Sequence, residues 1–334
     1  MKKGLNIKKL DNEIILYEIK NKVPILSVGL PAYNSGQIIW LALESLISQK
    51  DFDKPWELII AEEQLRDYLG QEKLKLYKDR LKEAGCVKVV YIALDRWIPL
   101  THKWKMIGKY ISKSSKIFLM QGADDSSSEY KFNKSYQKIV EKDYDWYQSE
   151  QCYMFHIVKQ KLLHFDLTRL SKNTTTQPTG LNMALRSDFI RQLPNSDRYA
   201  GVDSWFFNEA KNINKKKLRV YSDNCEEINN NLTTHGANQI SLFREKYFEK
   251  TNKLFTFTEK KIEEIIGYEL RDKLLEMKDY YINRKRERLL DKVEIEKKKS
   301  LKIEFIGTVL DFQKGRKKKK KKIRIDNKII TIEK

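Results

Sequence analysis

Residues 24–63 read PILSVGLPAYNSGQIIWLALESLISQKDFDKPWELIIAEE, and this stretch decides the fold. It opens on a continuous apolar run, PILSVGLPAY. It then passes through a segment from Ser35 to Gln49 whose Ile38, Ile39, Ala42 and Leu46 share one helical face, and closes on a second apolar run, WELIIAEE. A run that is apolar throughout suits a strand covered on both faces, and a helix between two such strands makes a βαβ unit. The same alternation continues outward. CVKVVYIAL (86–94) and KIFLMQG (116–122) read as further strands, residues 64–84 as a charged amphipathic helix and residues 100–113 as another. The pattern from 24 to about 143 predicts an α/β fold, a mostly parallel sheet with helices on both faces. Ligands of such sheets sit at the carboxyl ends of the strands.

One of those ends carries two adjacent acids. The strand KIFLMQG runs into Ala123, Asp124 and Asp125, three serines follow, and a helical pattern starts at about residue 126. The pair has two readings at this point: oxygen ligands for a hard divalent cation, or caps for the helix that follows. Beyond residue 144 strands (YDWYQSEQCYMF, GLNMALR, KLRVYSD) mix with polar loops, of which LSKNTTTQPTG (170–180) reads as a flap. Residues 257–292 carry a long charged helical pattern, with Phe257, Ile262, Ile265, Ile266, Leu270, Leu274 and Leu275 in register. From residue 300 two β-type pieces flank a lysine-rich run. The expected organisation is an N-terminal extension (1–22), an α/β domain (23–240), a helical segment (241–299) and a small basic β tail (300–334).

Composition narrows the partners. The chain has 334 residues and a formal net charge of +20. Such an excess favours nucleic acid, acidic membrane surfaces or phosphate-bearing substrates. Lysine far outnumbers arginine and Asn and Ile are plentiful, which an AT-rich genome, a phage's for example, would also produce. Cys86, Cys152 and Cys225 form no metal-finger spacing and no disulfide framework. The N-terminus has no apolar signal region, and no stretch approaches a membrane span. The expectation is a cytoplasmic protein.

The order of segments resembles glycosyltransferase family 2, the GT-A fold. Pro31-Ala32-Tyr33-Asn34, the phrase ESLISQ, the acidic pair Glu62-Glu63, MQGADD as a DXD-type motif, GLNMALRSDFI and GVDSWFFNEA follow one another over residues 24–240 as that family's motifs do. Departures are Glu62-Glu63 in place of two aspartates, Gln64-Leu65 in place of Gly-Ser, and Val202-Asp203 in place of Glu-Asp. The resemblance implies a GT-A-like, Rossmann-related sheet and an inverting, metal-dependent hexosyltransferase. That enzyme would move a sugar from a nucleotide diphosphate, a UDP-sugar first, to an acceptor hydroxyl. By motif position Asp125 would bind Mn²⁺ or Mg²⁺ with His235 as a further ligand, and Asp124 would contact the ribose. Glu63 would meet the nucleotide base. Pro31, Tyr33 and Asn34 would form the base-stacking loop, Lys103 would lie on a helix facing the diphosphate, and Arg186 would hold either phosphate or acceptor. Asp203 would be the catalytic base.

A second reading is a nucleic-acid-binding protein on the same fold. Lys314, Arg316, Lys317 to Lys322 and Arg324 put nine cations within residues 314–324, a polyanion contact without interleaved aromatics. The two readings meet in a sugar transferase acting on modified bases in DNA, so the acceptor is read as a glycan or a modified nucleic acid.

Overall fold

The computed structural model describes residues 12–166, 183–198, 201–214, 218–223, 233–234, 255–257, 261–282, 321–325 and 328–332. The chain divides into two units, Met1–Tyr281 and Ile282–Lys334.

The first unit is built on an eight-stranded sheet ordered β1-β4-β3-β2-β5-β9-β6-β10. Its strands are β1 (Asn12–Glu18), β2 (Leu26–Tyr33), β3 (Trp56–Glu63), β4 (Cys86–Leu94), β5 (Ile117–Met120), β6 (Trp146–Ser149), β9 (Met183–Arg186) and β10 (Val220–Asp223). Strands β2 to β5, β6 and β10 all run one way; β1 and β9 run the other. Helix α1 (Ile39–Ile47), α2 (Gly70–Lys75), α3 (Lys78–Glu83) and α4 (Leu100–Tyr110) follow strands β2, β3 and β4 as the alternation requires. They are followed by α5 (Lys131–Tyr136), α6 (Ser187–Arg191) and α7 (Val202–Ile213).

The continuous apolar runs become strands because both faces of the sheet are covered. Odd and even positions of one strand go to opposite cores. Leu58 and Ile60 of β3 join Leu26, Val28, Leu30, Leu43 and Phe132 on one side. Ile59 and Ala61 join Val90, Ile92, Trp104, Phe118 and Phe206 on the other. Gly29 in β2 lets Phe118 close over the strand, since a Cβ there would stand 2.4 Å from the Phe118 ring. A second sheet, β11-β7-β8-β12, contains β7 (Gln151–His156), β8 (Lys161–Asp166), β11 (Thr233–Thr234) and β12 (Phe255–Phe257). It shares a core with Ile38, Trp40 and Leu41 of the α1 region and with α8 (Ile262–Ile266) and α9 (Tyr268–Glu276).

Several expectations change here. Residues 12–18, read as part of an extension, pair antiparallel with β4 and edge the main sheet. The helix expected over 64–84 begins only at Gly70, because the preceding loop is tied down by Glu62, and it is parted into two at Leu76 and Tyr77. YDWYQSEQCYMF is two strands in two sheets, turning at Glu150. The long helix over 257–292 is interrupted at Gly267, whose φ of +81° is open to glycine. Phe257 belongs to a strand, and α8 and α9 lie in the same unit as the sheet. The flap at 170–180 lies outside the described residues. In the second unit, β13 (Lys321–Ile325) and β14 (Lys328–Ile332) form an antiparallel hairpin; the remainder of the expected basic tail lies outside the described residues.

Candidate active site

The parallel strands deliver four loops to one edge of the sheet: after Tyr33, Glu63, Leu94 and Met120. Tyr33, Glu63 and Leu94 stand in register across β2, β3 and β4. Pro31 lies past the last pair between β2 and β5, Gly29 with Met120, while still opposite Ala61 of β3.

The loop after β5 is held by a polar scaffold. Gln121 donates its side-chain amide to the carbonyl of Asp125 (2.8 Å) and accepts from Ser127 Oγ (2.5 Å). Gln49, the end of the ESLISQ phrase, donates to the carbonyl of Ser128 (2.7 Å) and accepts the Phe132 amide (2.9 Å). Ser45 Oγ accepts the amide of Ser127 (3.0 Å). Helix α5 starts at Lys131, with Tyr130 as its cap residue. Asp124 and Asp125 therefore do not cap the helix, and the capping alternative falls.

Asp125 is buried and Asp124 half-buried beside it. Burial pushes the Asp125 carboxyl well above its ordinary range; Asp124 adds to the rise, Lys131 opposes it, and the charge of Asp203 raises it further. Asp203, 78 residues downstream, thus acts on the charge of Asp125. It sits in the first turn of α7, whose cap position is Gly201, so it is not a cap residue either. Lys131 was not singled out in the sequence. It is buried, and its Nζ donates to Ser127 Oγ (3.2 Å) and to the carbonyl of Met120 (3.4 Å). Burial lowers its ammonium to about 8.

The second group of expected residues gathers at the ends of β2 and β3. Glu63 is fully buried; its Oε1 accepts the Ile98 amide (3.0 Å) and pairs with Lys103 Nζ (2.8 Å). Its Oε2 is buried without a hydrogen-bond partner. Lys103 also donates to the carbonyl of Ala32 (3.0 Å) and lies 5.5 Å from the centre of the Tyr33 ring, which is 43% exposed. Burial lowers the Lys103 pKa, against the pull of Glu63. Asn34, at φ +51°, accepts the Asp67 amide through its side chain (3.4 Å). Glu62 has a structural part: it accepts the amides of Leu69 (2.8 Å) and Gly70 (3.0 Å) and the hydroxyl of Tyr91 (2.6 Å).

Arg186 is not brought to this edge. It pairs in register with Ile117 at the entry end of β5 and bonds Asp145 (2.8 Å) and Asp143. Because β9 runs antiparallel, its last residue emerges at the opposite edge from Asp125, out of reach of a phosphate there. His235 lies outside the described residues. Among the described residues no three His, Cys, Asp or Glu side chains form a metal-holding group. Two carboxylates remain a fit for Mg²⁺ or Mn²⁺, which are commonly held by one or two carboxylates together with substrate phosphates.

No family profile and no curated protein sequence matches the chain. Among solved structures it is similar to residues 1–349 of S. aureus TarS in complex with UDP-GlcNAc, at 13% identity and a TM-score of 0.48, over 65% of this chain and 60% of that one. It is similar to the mannosyltransferase PcManGT from Pyrobaculum calidifontis in complex with GDP-Man and Mn²⁺, at 9% identity and a TM-score of 0.42, over 62% and 56% of the two chains. A third likeness is to glucosyl-3-phosphoglycerate synthase from Mycobacterium tuberculosis with Mn²⁺, UDP and glucosyl-3-phosphoglycerate, at 14% identity and a TM-score of 0.42, over 66% and 75%. The chain thus spans about 60% of the length of the TarS fragment.

Proposed function

We propose that the chain is a nucleotide-sugar-dependent glycosyltransferase of the GT-A kind. More specifically, it is proposed as an inverting hexosyltransferase that takes a UDP-sugar first among donors. The observation that supports this reading is the buried Asp125, beside Asp124, on the loop after β5 at the carboxyl edge of the parallel strands, with the charge of Asp203 acting on it.

Transfer from a nucleotide diphosphate requires neutralising the leaving group, holding donor and acceptor in line, and taking the acceptor's proton. Asp125 would hold a divalent cation and Asp124 the ribose or a water of that cation. When bound, the cation offsets the charge that develops on the diphosphate. Tyr33 offers an exposed ring for the base. The unfilled Oε2 of Glu63 offers an acceptor for a base N–H, and leaving such an atom unpaired costs about 1–3 kcal/mol. Lys103 is proposed to orient Glu63, to which its ammonium is bonded. Asp203 would take the proton of the acceptor hydroxyl as the sugar–oxygen bond forms and the bond to the diphosphate breaks.

Donor hydrolysis in the absence of acceptor tests the reading. Slow release of nucleoside diphosphate that needs Mn²⁺ or Mg²⁺, and is lost in Asp125→Ala, is expected. Hydrolysis that ignores both the cation and Asp125 would remove it. A nucleic-acid acceptor is the second reading, favoured by the formal charge of +20.

A further inference from the structure

The loop that carries the acid pair has a cation built into it. Lys131 is the first residue of α5, and its side chain reaches back to the end of β5 and the loop before the helix. Its ammonium is hydrogen-bonded at one end to the carbonyl of Met120, the last residue of β5, and at the other to Ser127 Oγ. It is 3% exposed, and Asp125 is 4% exposed. The lysine and Asp125 hang on one polar node: Ser127 Oγ accepts from Lys131 and donates to Gln121, whose amide holds the Asp125 carbonyl, and the lysine charge works against the rise of the Asp125 carboxyl. A buried ammonium is costly unless an opposite charge compensates it, and so is a buried carboxylate crowded by two others.

We infer that Lys131 is a positioning residue that serves as a resident counter-cation, keeping the acid loop formed before a divalent metal enters, and that the metal must then bind against its charge. This rests on the glycosyltransferase reading for the identity of the metal site, but not for the pairing of Lys131 with Asp125. A lysine that only filled space or pinned the loop would behave differently. Removing it would loosen the carboxylates and weaken metal binding. Removing a competing positive charge while the loop is kept in place tightens metal binding.

The test uses the full chain and three variants: Lys131→Gln, which keeps a polar hydrogen-bonding head without the charge, Lys131→Arg, which keeps the charge, and the double variant Lys131→Gln/Asp125→Asn. Thermal unfolding without metal is expected to show a lower Tm for Lys131→Gln and recovery of most of the loss in the double variant. If Lys131→Gln does not accumulate folded, recovery of folded protein in the double variant is the same result. Calorimetric titration with Mn²⁺ alone is expected to show roughly tenfold tighter binding for Lys131→Gln, as loss of a nearby like charge requires, and little change for Lys131→Arg. Additive losses of Tm would overturn the inference, as would Mn²⁺ affinity that falls or stays level in Lys131→Gln. If wild type binds no Mn²⁺ at all, the metal reading fails, and the thermal comparison alone decides the role of Lys131.

Discussion

Asp203→Asn keeps the shape of the side chain and removes its basicity. Turnover is expected to fall roughly 10²–10⁴-fold with donor affinity nearly intact; steady-state kinetics beside donor binding checks this, and an equal loss of both would make Asp203 structural. Asp124 and Asp125 of the candidate site were legible because carboxylates at the end of an apolar run are conspicuous in any sequence, whereas Asp203 was named only through the motif GVDSWFFNEA. Lys131 was not legible, since one more lysine in a lysine-rich chain carries no signal until the backbone shows it buried. Gln49 and Gln121 were visible only as letters of motifs, and their part in tying down the acid loop needed coordinates. Arg186 shows the opposite failure. A basic residue after a strand was legible, but which edge it emerges from depends on strand direction, and β9 is antiparallel to its neighbours.

At the scale of elements, the parallel strands were read well because burial on both faces makes each one uniformly apolar. The helices were read too long. Glu62 captures the amides of Leu69 and Gly70 and so delays α2, and Gly267 parts α8 from α9; neither tertiary capture nor a positive φ shows in a periodicity. The late helices are more than an appendage of the fold. Leu274 of α9 is fully buried with Ile38, Leu41, Tyr153 and Phe155, and Tyr280 donates to Asp67 (2.8 Å) in the loop after β3. Leu274→Ala is expected to cost about 2–5 kcal/mol in chemical denaturation. Leu76→Ala, at a residue 80% exposed, should change stability by less than about 0.5 kcal/mol. Equal effects would mean that α9 does not pack as described.

For the molecule as a whole, the densest positive charge and the proposed active site fall in different units of the chain. Among the described residues no helix is long and apolar enough to cross a membrane. The densest positive run, 314–324, lies in the second unit, apart from the acid edge in sequence. Removing residues 312–334 is expected to leave donor hydrolysis unchanged and to abolish binding to duplex DNA. That binding should fall steeply with salt, with a log–log slope near −0.9 for each phosphate neutralised. Gel-shift titrations over a salt series measure it, and equal DNA binding by both forms would place the contact elsewhere. The most direct measurement is calorimetric titration of UDP-, GDP- and TDP-sugars into wild type and Asp125→Asn, each with and without Mn²⁺. One donor should bind wild type only when Mn²⁺ is present and should bind the variant weakly or not at all. Metal-independent binding of equal strength to both proteins, or binding of no donor, would contradict a nucleotide-sugar site at Asp124 and Asp125.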